Sequence, residues 1–211
     1  MSRLRLLCLL VLVTSGALQA ATFHPPETMI GSEVGAAAGH NVTESGAGWA
    51  ICQVWPDNPV QADTYVPMIW QGKGWTAAEH GFGGQPSATV KAGVVSLGVR
   101  GGWTGHEEKR IAALVFTAPS DGRYAVTGEC SLKRWHGTGA VQLLVVHVNS
   151  AKARAVQLAK VTVDDSADEP VVVAVSAVRL SKGDKIALAG YVPSMHTAAD
   201  LHIKDLSITE K

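Results

Sequence analysis

Residues 111–130 read IAALVFTAPSDGRYAVTGEC, and this stretch decides the fold class. It begins with a short apolar run of strand-forming residues, 111–116. Pro119 lacks the N–H group that a strand ladder needs, and the following SDG (120–122) favours a tight turn. After the turn, apolar and polar residues alternate with the period of two that is typical of a half-buried strand. The pattern predicts a β-hairpin whose second strand buries Tyr124, Val126, Gly128 and Cys130 on one face.

The rest of the chain from Trp49 onward shows the same alternation of strand-forming runs and turns. Eleven short runs rich in strand formers are separated by turn residues, and no run has the periodicity of an amphipathic helix. Residues 141–148 are apolar at most positions, which predicts a central strand buried on both faces. Residues 155–163 and 201–208 each change parity midway, as a β-bulge would cause. The chain therefore predicts one all-β domain over residues 49–211, an antiparallel sandwich or barrel.

Two segments precede that domain. Residues 1–20 have a basic start at Arg3 and Arg5, an apolar stretch and a small-residue ending, so they predict a cleaved signal peptide. The apolar stretch is too short for a permanent membrane span. Residues 21–48 are rich in glycine and alanine and predict a flexible leader, with room for one edge strand or short helical turn. The protein is expected to be secreted or periplasmic.

The charge of the chain excludes some partners. The sequence has 18 basic and 18 acidic residues, and loss of Arg3 and Arg5 with the signal peptide leaves a net charge near −2. No basic block stands out. Nucleic acid and anionic membrane surfaces are therefore not expected partners.

Two cysteines, Cys52 and Cys130, remain after export. An oxidising compartment allows them to pair, so a disulfide is predicted. The alternative is that both are buried thiols packed as small apolar groups.

Four segments resemble secreted bacterial jelly-roll modules that are similar to carbohydrate-binding modules. They are VFTAPSDGRYAVTGEC (115–130), GTGAVQLLVVHVN (137–149), LSKGDKIALAGYV (180–192) and DLHIKDLSI (200–208), which begins with an acidic residue, Asp200. The resemblance covers residues 94–208 and implies a β-sandwich of jelly-roll type. It also places Gly122 and Gly183 where a turn favours positive φ. Its motifs describe turns and core, so it implies the fold more than an activity.

Tryptophans on predicted loops are the main candidate for a ligand site. Trp49, Trp55 and Trp70 lie in strand-like runs and are expected in the core. Glycine or basic residues instead surround three others, and histidines follow two of these closely. A flat ring on a loop can stack against a sugar, and neighbouring polar groups can bond its hydroxyls. The predicted ligand-binding residues are Trp75, Trp103, His106, Trp135 and His136.

A metal site is only weakly indicated. Asp164, Asp165 and Asp168 lie in an acidic turn that could offer oxygen ligands to calcium, although the turn lacks EF-hand spacing. No cofactor other than this calcium is suggested by any motif.

Three functions remain open at this point. The first is an exported, non-catalytic module that binds a polysaccharide or glycan through loop aromatics at one end of the sandwich. The second is a structural or protein-interaction domain at the cell surface whose edge strands meet a partner protein. The third is a small polysaccharide-processing enzyme that uses His106, His136 and Glu108.

Overall fold

The computed structural model describes residues 20–25, 41–42, 48–54, 66–67, 69–70, 75–76, 87–100, 111–164, 169–192 and 197–211. Fifteen β-strands and their connections account for these residues, and none of the described residues is helical. The strands are β1 (Thr22–Phe23), β2 (Asn41–Val42), β3 (Gly48–Val54), β4 (Val66–Pro67), β5 (Ile69–Trp70), β6 (Trp75–Thr76), β7 (Ser87–Lys91), β8 (Val94–Arg100), β9 (Ile111–Thr117), β10 (Gly122–His136), β11 (Val141–Asn149), β12 (Arg154–Val163), β13 (Val171–Leu180), β14 (Lys185–Tyr191) and β15 (Ala198–Glu210).

The strands form two antiparallel sheets. The first sheet has the order β13-β10-β15-β8-β7-β6-β5, with β1 paired to β15. The second has the order β12-β11-β14-β9-β3-β2, with β4 paired to β3. From β9 to β15 the chain moves repeatedly between the sheets. The predicted antiparallel β-sandwich of jelly-roll type is confirmed.

The core lies between the two sheets and is built from their alternating inward side chains. It holds the buried residues of both sheets, and an aromatic cluster lies within it. The Phe116 ring centroid is 5.3 Å from that of Phe23, 5.2 Å from that of Trp49 and 6.0 Å from that of Tyr124. Trp49 and Tyr124 are fully buried. These tilted ring pairs are the arrangement that aromatic quadrupoles favour.

The predicted hairpin at residues 111–130 is wrong in one respect. Both strands exist, but β9 pairs with β14 and β3 in the second sheet, whereas β10 pairs with β13 and β15 in the first. The connection at Pro119 therefore passes from one sheet to the other. Main-chain hydrogen bonds from Ala118 N to Asp184 O and from Gly183 N to Ala118 O fix it against the β13–β14 turn.

The other strand predictions are confirmed. Tyr124, Val126, Gly128 and Cys130 are buried, while Thr127 and Glu129 between them are exposed. Strand β11 lies between β12 and β14 and is buried on both faces. Pairing registers shift in β12 and β15, which confirms the two bulges.

The two predicted turn glycines have different roles. Gly183 has a φ of 87°, as predicted. Gly122 begins β10 and is not among the described residues with positive φ. A Cβ at Gly122 would lie 2.7 Å from Glu210 Oε1, at the end of a flexible side chain, so a larger residue here would displace the Glu210 carboxylate.

The predicted disulfide is wrong, because both cysteines are free and buried. Cys130 faces the core between the sheets, whereas Cys52 lies in a separate cluster with Ala50 and Val54 on the opposite face of the second sheet. The second sheet therefore separates the two thiols. Burial raises the pKa of each thiol to about 12. The positive charge of Lys185 lowers the pKa of Cys52, but its effect is smaller than that of burial.

Part of the predicted leader is paired to the sandwich. Thr22 and Phe23 pair with Thr209 and Ile208 of β15, and Phe23 is buried. Strand β2 pairs with β3. The predicted signal peptide lies outside the described residues except for Ala20. Within the described part of the chain, no helix is long and apolar enough to cross a membrane.

Candidate functional site

The two sheets differ in their outward faces. The outer face of the second sheet carries small apolar residues such as Ala113, Ala187 and Ala189, and these are buried. On the first sheet, β10 and β15 instead turn polar residues outward. Because a ligand needs an accessible surface, the first sheet offers the candidate site. We call it the polar face and define it by Glu129, Ser131, Lys133, Trp135, His136, Asp200, His202 and Lys204.

The strand register arranges this face in cross-strand rows. Glu129 lies opposite Lys204, Ser131 opposite His202, and Lys133 opposite Asp200. On the far side of β15, His202 lies opposite Ser96, which extends that row onto β8. Directly opposite side chains have Cβ atoms about 5 Å apart, so each row is a pair of neighbours.

A bulge at the end of β10 presents the aromatic member of the face. Arg134 pairs with Ala199 and His136 pairs with Ala198, so Trp135 is the extra residue. A bulge of this kind redirects side chains locally. Trp135 is 61% exposed, in contrast to fully buried Trp49.

A cation holds the exposed ring. Lys133 Nζ lies 4.6 Å from the centroid of the Trp135 ring, a cation–π contact. Because Lys133 and Trp135 are two positions apart on the outward side of β10, the lysine reaches the ring along its own strand. The indole thus has a neighbour that orients it while more than half of its surface faces solvent.

The formal charges of the polar face balance. Glu129 and Asp200 oppose Lys204 and Lys133 in their rows, and two histidines add donors or acceptors according to their protonation. The face therefore offers hydrogen-bond donors and acceptors side by side with no net formal charge. This combination suits a ligand that is rich in hydroxyl groups.

The predicted ligand-binding residues have different outcomes. Trp135 and His136 lie in β10 and are exposed, so their assignment to a loop is wrong. Trp75 begins the two-residue strand β6 and pairs with Trp70 and Ala88, so it too lies in a strand, although its side chain is outside the description. Trp103, His106 and Glu108 lie outside the described residues. Whether these residues meet Trp135 stays a prediction.

Of the three candidate calcium ligands, the structure describes only Asp164. Asp164 Oδ1 lies 4.0 Å from Arg134 Nη2, which also donates a 2.8 Å hydrogen bond to Gly139 O. Asp165 and Asp168 lie outside the described residues. Among the residues that the structure describes, no group of three or more His, Cys, Asp or Glu side chains is placed to hold a metal.

Sequence reasoning missed most of the polar residues on β15. The sequence resemblance places Asp200 before the last strand, and it gives His202 and Lys204 no role. These residues alternate with the buried Leu201 and Ile203, so the sequence predicts that they point outward. Nothing in the local sequence predicts that they pair with β10.

A buried carboxylate, that of Asp184, lies at the end of the sandwich opposite Trp135. Asp184 is 3% exposed and accepts hydrogen bonds from the main-chain N–H groups of Ser181 (3.1 Å) and Ser150 (3.2 Å). The His147 ring and the Asn149 side-chain amide also contact it, at 3.1 and 3.3 Å. Burial alone would raise the pKa of Asp184, but the hydrogen bonds outweigh it and lower the pKa below the ordinary value. These contacts join two turns, so the group is structural.

No protein-family model matches the chain, and no curated protein matches it. Carbohydrate-binding modules are among its structural neighbours, as the sequence resemblance predicted. A family 29 carbohydrate-binding module is 12% identical with a TM-score of 0.39, covering 77% of this chain and 88% of that one. The C-terminal family 6 module of LamC, a laminarinase from Zobellia galactanivorans, is 11% identical with a TM-score of 0.32, covering 76% and 99%. Murine APRIL is 13% identical with a TM-score of 0.31, covering 77% and 99%. Similarities at this level define neither a family nor a ligand.

Proposed function

We propose that the protein is an exported, non-catalytic module that binds a polysaccharide or other glycan on the polar face. The observation that carries the proposal is the exposed Trp135 ring, held by Lys133 beside balanced donors and acceptors. An indole offers a flat apolar surface for the C–H face of a sugar ring. The neighbouring carboxylate, imidazole and ammonium groups can bond the sugar's hydroxyls. Trp75, Trp103 and His106 remain proposed contacts of the same ligand, and export rests on residues 1–20.

A binding screen with a matched variant tests this function. We expect at least one polysaccharide in a broad set to retain the protein, and Trp135→Ala to abolish retention. Val156→Ala is the matched control, because Val156 is also an exposed apolar residue (42% exposed) but lies on β12 of the other sheet. An EDTA arm examines the calcium hypothesis. Retention that survives Trp135→Ala, or no retention on any glycan, would contradict the proposal.

A second function, a protein-interaction domain at the cell surface, is favoured by one specific observation. The first sheet ends at β13, and residues 171–178 of this edge strand carry no charge.

A further inference from the structure

The edges of both sheets meet on one side of the sandwich. Strand β13 ends the first sheet and β12 ends the second, and the two strands follow each other in the chain. Among the described residues, β13 pairs only with β10. Alternate residues of β13 therefore direct N–H and C=O groups away from the sheet, where they can accept another strand.

The composition of β13 suits such pairing. Residues 171–178 read VVVAVSAV and contain no charge. Val172 is 65% exposed, and Ala174 and Ser176 are exposed on the same face. Edge strands that avoid association usually carry charged side chains, as β12 does with Arg154 and Lys160. Residues 171–175 of β13 carry no charge and pair regularly with β10, whereas the register shifts between Val175 and Val178.

Opposite charges flank this uncharged segment. Exposed Glu169 precedes β13, and exposed Arg179 lies near its end. Arg179 is directly opposite Arg123 of β10, and like charges in that position repel. Among the described residues, neither guanidinium has a carboxylate within ion-pair distance. A carboxylate supplied from outside would relieve this repulsion.

We propose that β13 pairs antiparallel with β13 of a second copy of this chain, about a two-fold axis at Ala174. Antiparallel pairing sets the start of each strand beside the end of the other. It therefore brings Arg179 of each copy to the Glu169 end of its partner, which gives two ion pairs. Any other orientation of two identical strands loses this match. The small side chain of Ala174 allows close approach at the axis.

The dimer would join two first sheets into one continuous sheet. Because the axis is perpendicular to the sheet, both polar faces would lie on the same side. A long polymer could then meet two Trp135 rings at once, which raises the apparent affinity through effective concentration. The pairing itself rests on the edge strand and its flanking charges, independently of the proposed function.

Cysteine cross-linking tests the register. In Ala174→Cys the two new thiols face each other across the axis, so mild oxidation should give a covalent dimer. In the matched Val172→Cys variant the two thiols lie four strand positions apart, about 13 Å, which exceeds disulfide reach. The native thiols are buried and should not interfere. No dimer from Ala174→Cys, or equal dimer from both variants, would overturn the proposed pairing.

Sedimentation of the purified protein over a concentration series tests the charges. We expect a dimer that Val172→Lys converts to monomer and that Val156→Lys, the same change on β12, leaves intact. Glu169→Arg and Arg179→Glu should each weaken the dimer at least ten-fold, and the double variant should restore it. Thermal melts confirm that every variant is folded. A monomer at all concentrations, or a dimer unaffected by Val172→Lys, would refute the proposal.

Discussion

Two tryptophans of this chain show how strand position decides a residue's role. Trp49 alternates with its β3 neighbours and is fully buried in the core, whereas Trp135 sits at a bulge and is 61% exposed. Burial of a large aromatic side chain stabilises the folded state, so an exposed one indicates a role other than core packing. Trp135 is therefore where a ligand would find apolar surface to cover.

Lys133 should contribute to ligand binding through Trp135. Lys133→Met removes the cation–π contact but keeps a long apolar stem. Because such contacts at exposed sites contribute about 0.5–1 kcal/mol, glycan affinity should fall about two- to five-fold. Titration calorimetry of the variant beside Trp135→Ala measures this. An unchanged affinity would show that Lys133 does not position the ring, whereas Trp135→Ala should still abolish binding.

Asp184 should make stability depend on acid pH. Its folded pKa is lowered by the N–H groups of Ser181 and Ser150 and by His147, so the folded state favours the carboxylate. The resulting stabilisation is complete above the unfolded pKa, about 4, and is lost as pH falls through the lower folded pKa. The protein should therefore lose stability progressively as the pH falls below about 4.

Removal of the Asp184 carboxylate tests this dependence. Asp184→Ala leaves two partly buried main-chain N–H groups, of Ser150 and Ser181, without their acceptor and should cost about 2 kcal/mol at pH 7. Urea unfolding at pH 7 and at pH 3 should show a smaller difference between variant and wild type at the lower pH. A difference that stays constant with pH would contradict the assignment.

At the scale of elements, local patterns predicted the strands better than their partners. The alternation in β10 and the continuous apolar run of β11 follow from burial at each residue, which the sequence records directly. The PSDG turn between β9 and β10 is compatible with a hairpin or with a crossing between sheets. Pairing depends on β14 and β15, which are distant in sequence, so the local pattern could not separate these two outcomes.

The same limit applies to the polar face. Trp135 and His136 could be selected because aromatic and imidazole groups are distinctive. Asp200 and His202 join them only through the β10–β15 register, and the bulge at Trp135 is itself a property of that register. The loop assignment failed because the neighbouring glycine at 137 suggested an earlier end to the strand.

Strand β1 should stabilise the sandwich. Phe23 packs against Phe116, Glu210 N donates a 2.8 Å hydrogen bond to Ala21 O, and His24 Nδ1 lies 3.1 Å from Leu206 O. Phe23→Ala should lower the free energy of unfolding by about 3 kcal/mol, because it empties a place in the aromatic cluster. Thr22→Ala, which changes an exposed neighbour, is the control in denaturant unfolding. Equal, small effects of the two changes would show that β1 does not stabilise the fold.

At the scale of the whole molecule, the sandwich has one buried outer face and one open polar face. The second sheet is apolar on both sides, with Cys52 on its outer cluster and Cys130 in the core beyond it. This layering explains both the absence of a bond between the two thiols and the location of the candidate site on the first sheet. The sequence alone could not show that the second sheet separates the two thiols, because both cysteines lie in strand-like runs.

The buried thiols should be inert in the folded protein. With the pKa of each raised to about 12, almost no thiolate is present at neutral pH. A thiol reagent should label Cys52 and Cys130 only after denaturation, and a reductant should leave the melting temperature unchanged. A reductant-dependent drop in melting temperature would mean that the two residues do pair.

If a glycan covers Trp135 on the polar face, the NMR signal of its indole should respond to the ligand. Indole N–H resonances, assigned by single Trp→Phe substitutions, would be followed during titration with a retained oligosaccharide. We expect the Trp135 signal to shift and saturate, while the signal of buried Trp49 stays in place as an internal control. A Trp135 signal that does not move at saturating ligand would contradict this prediction.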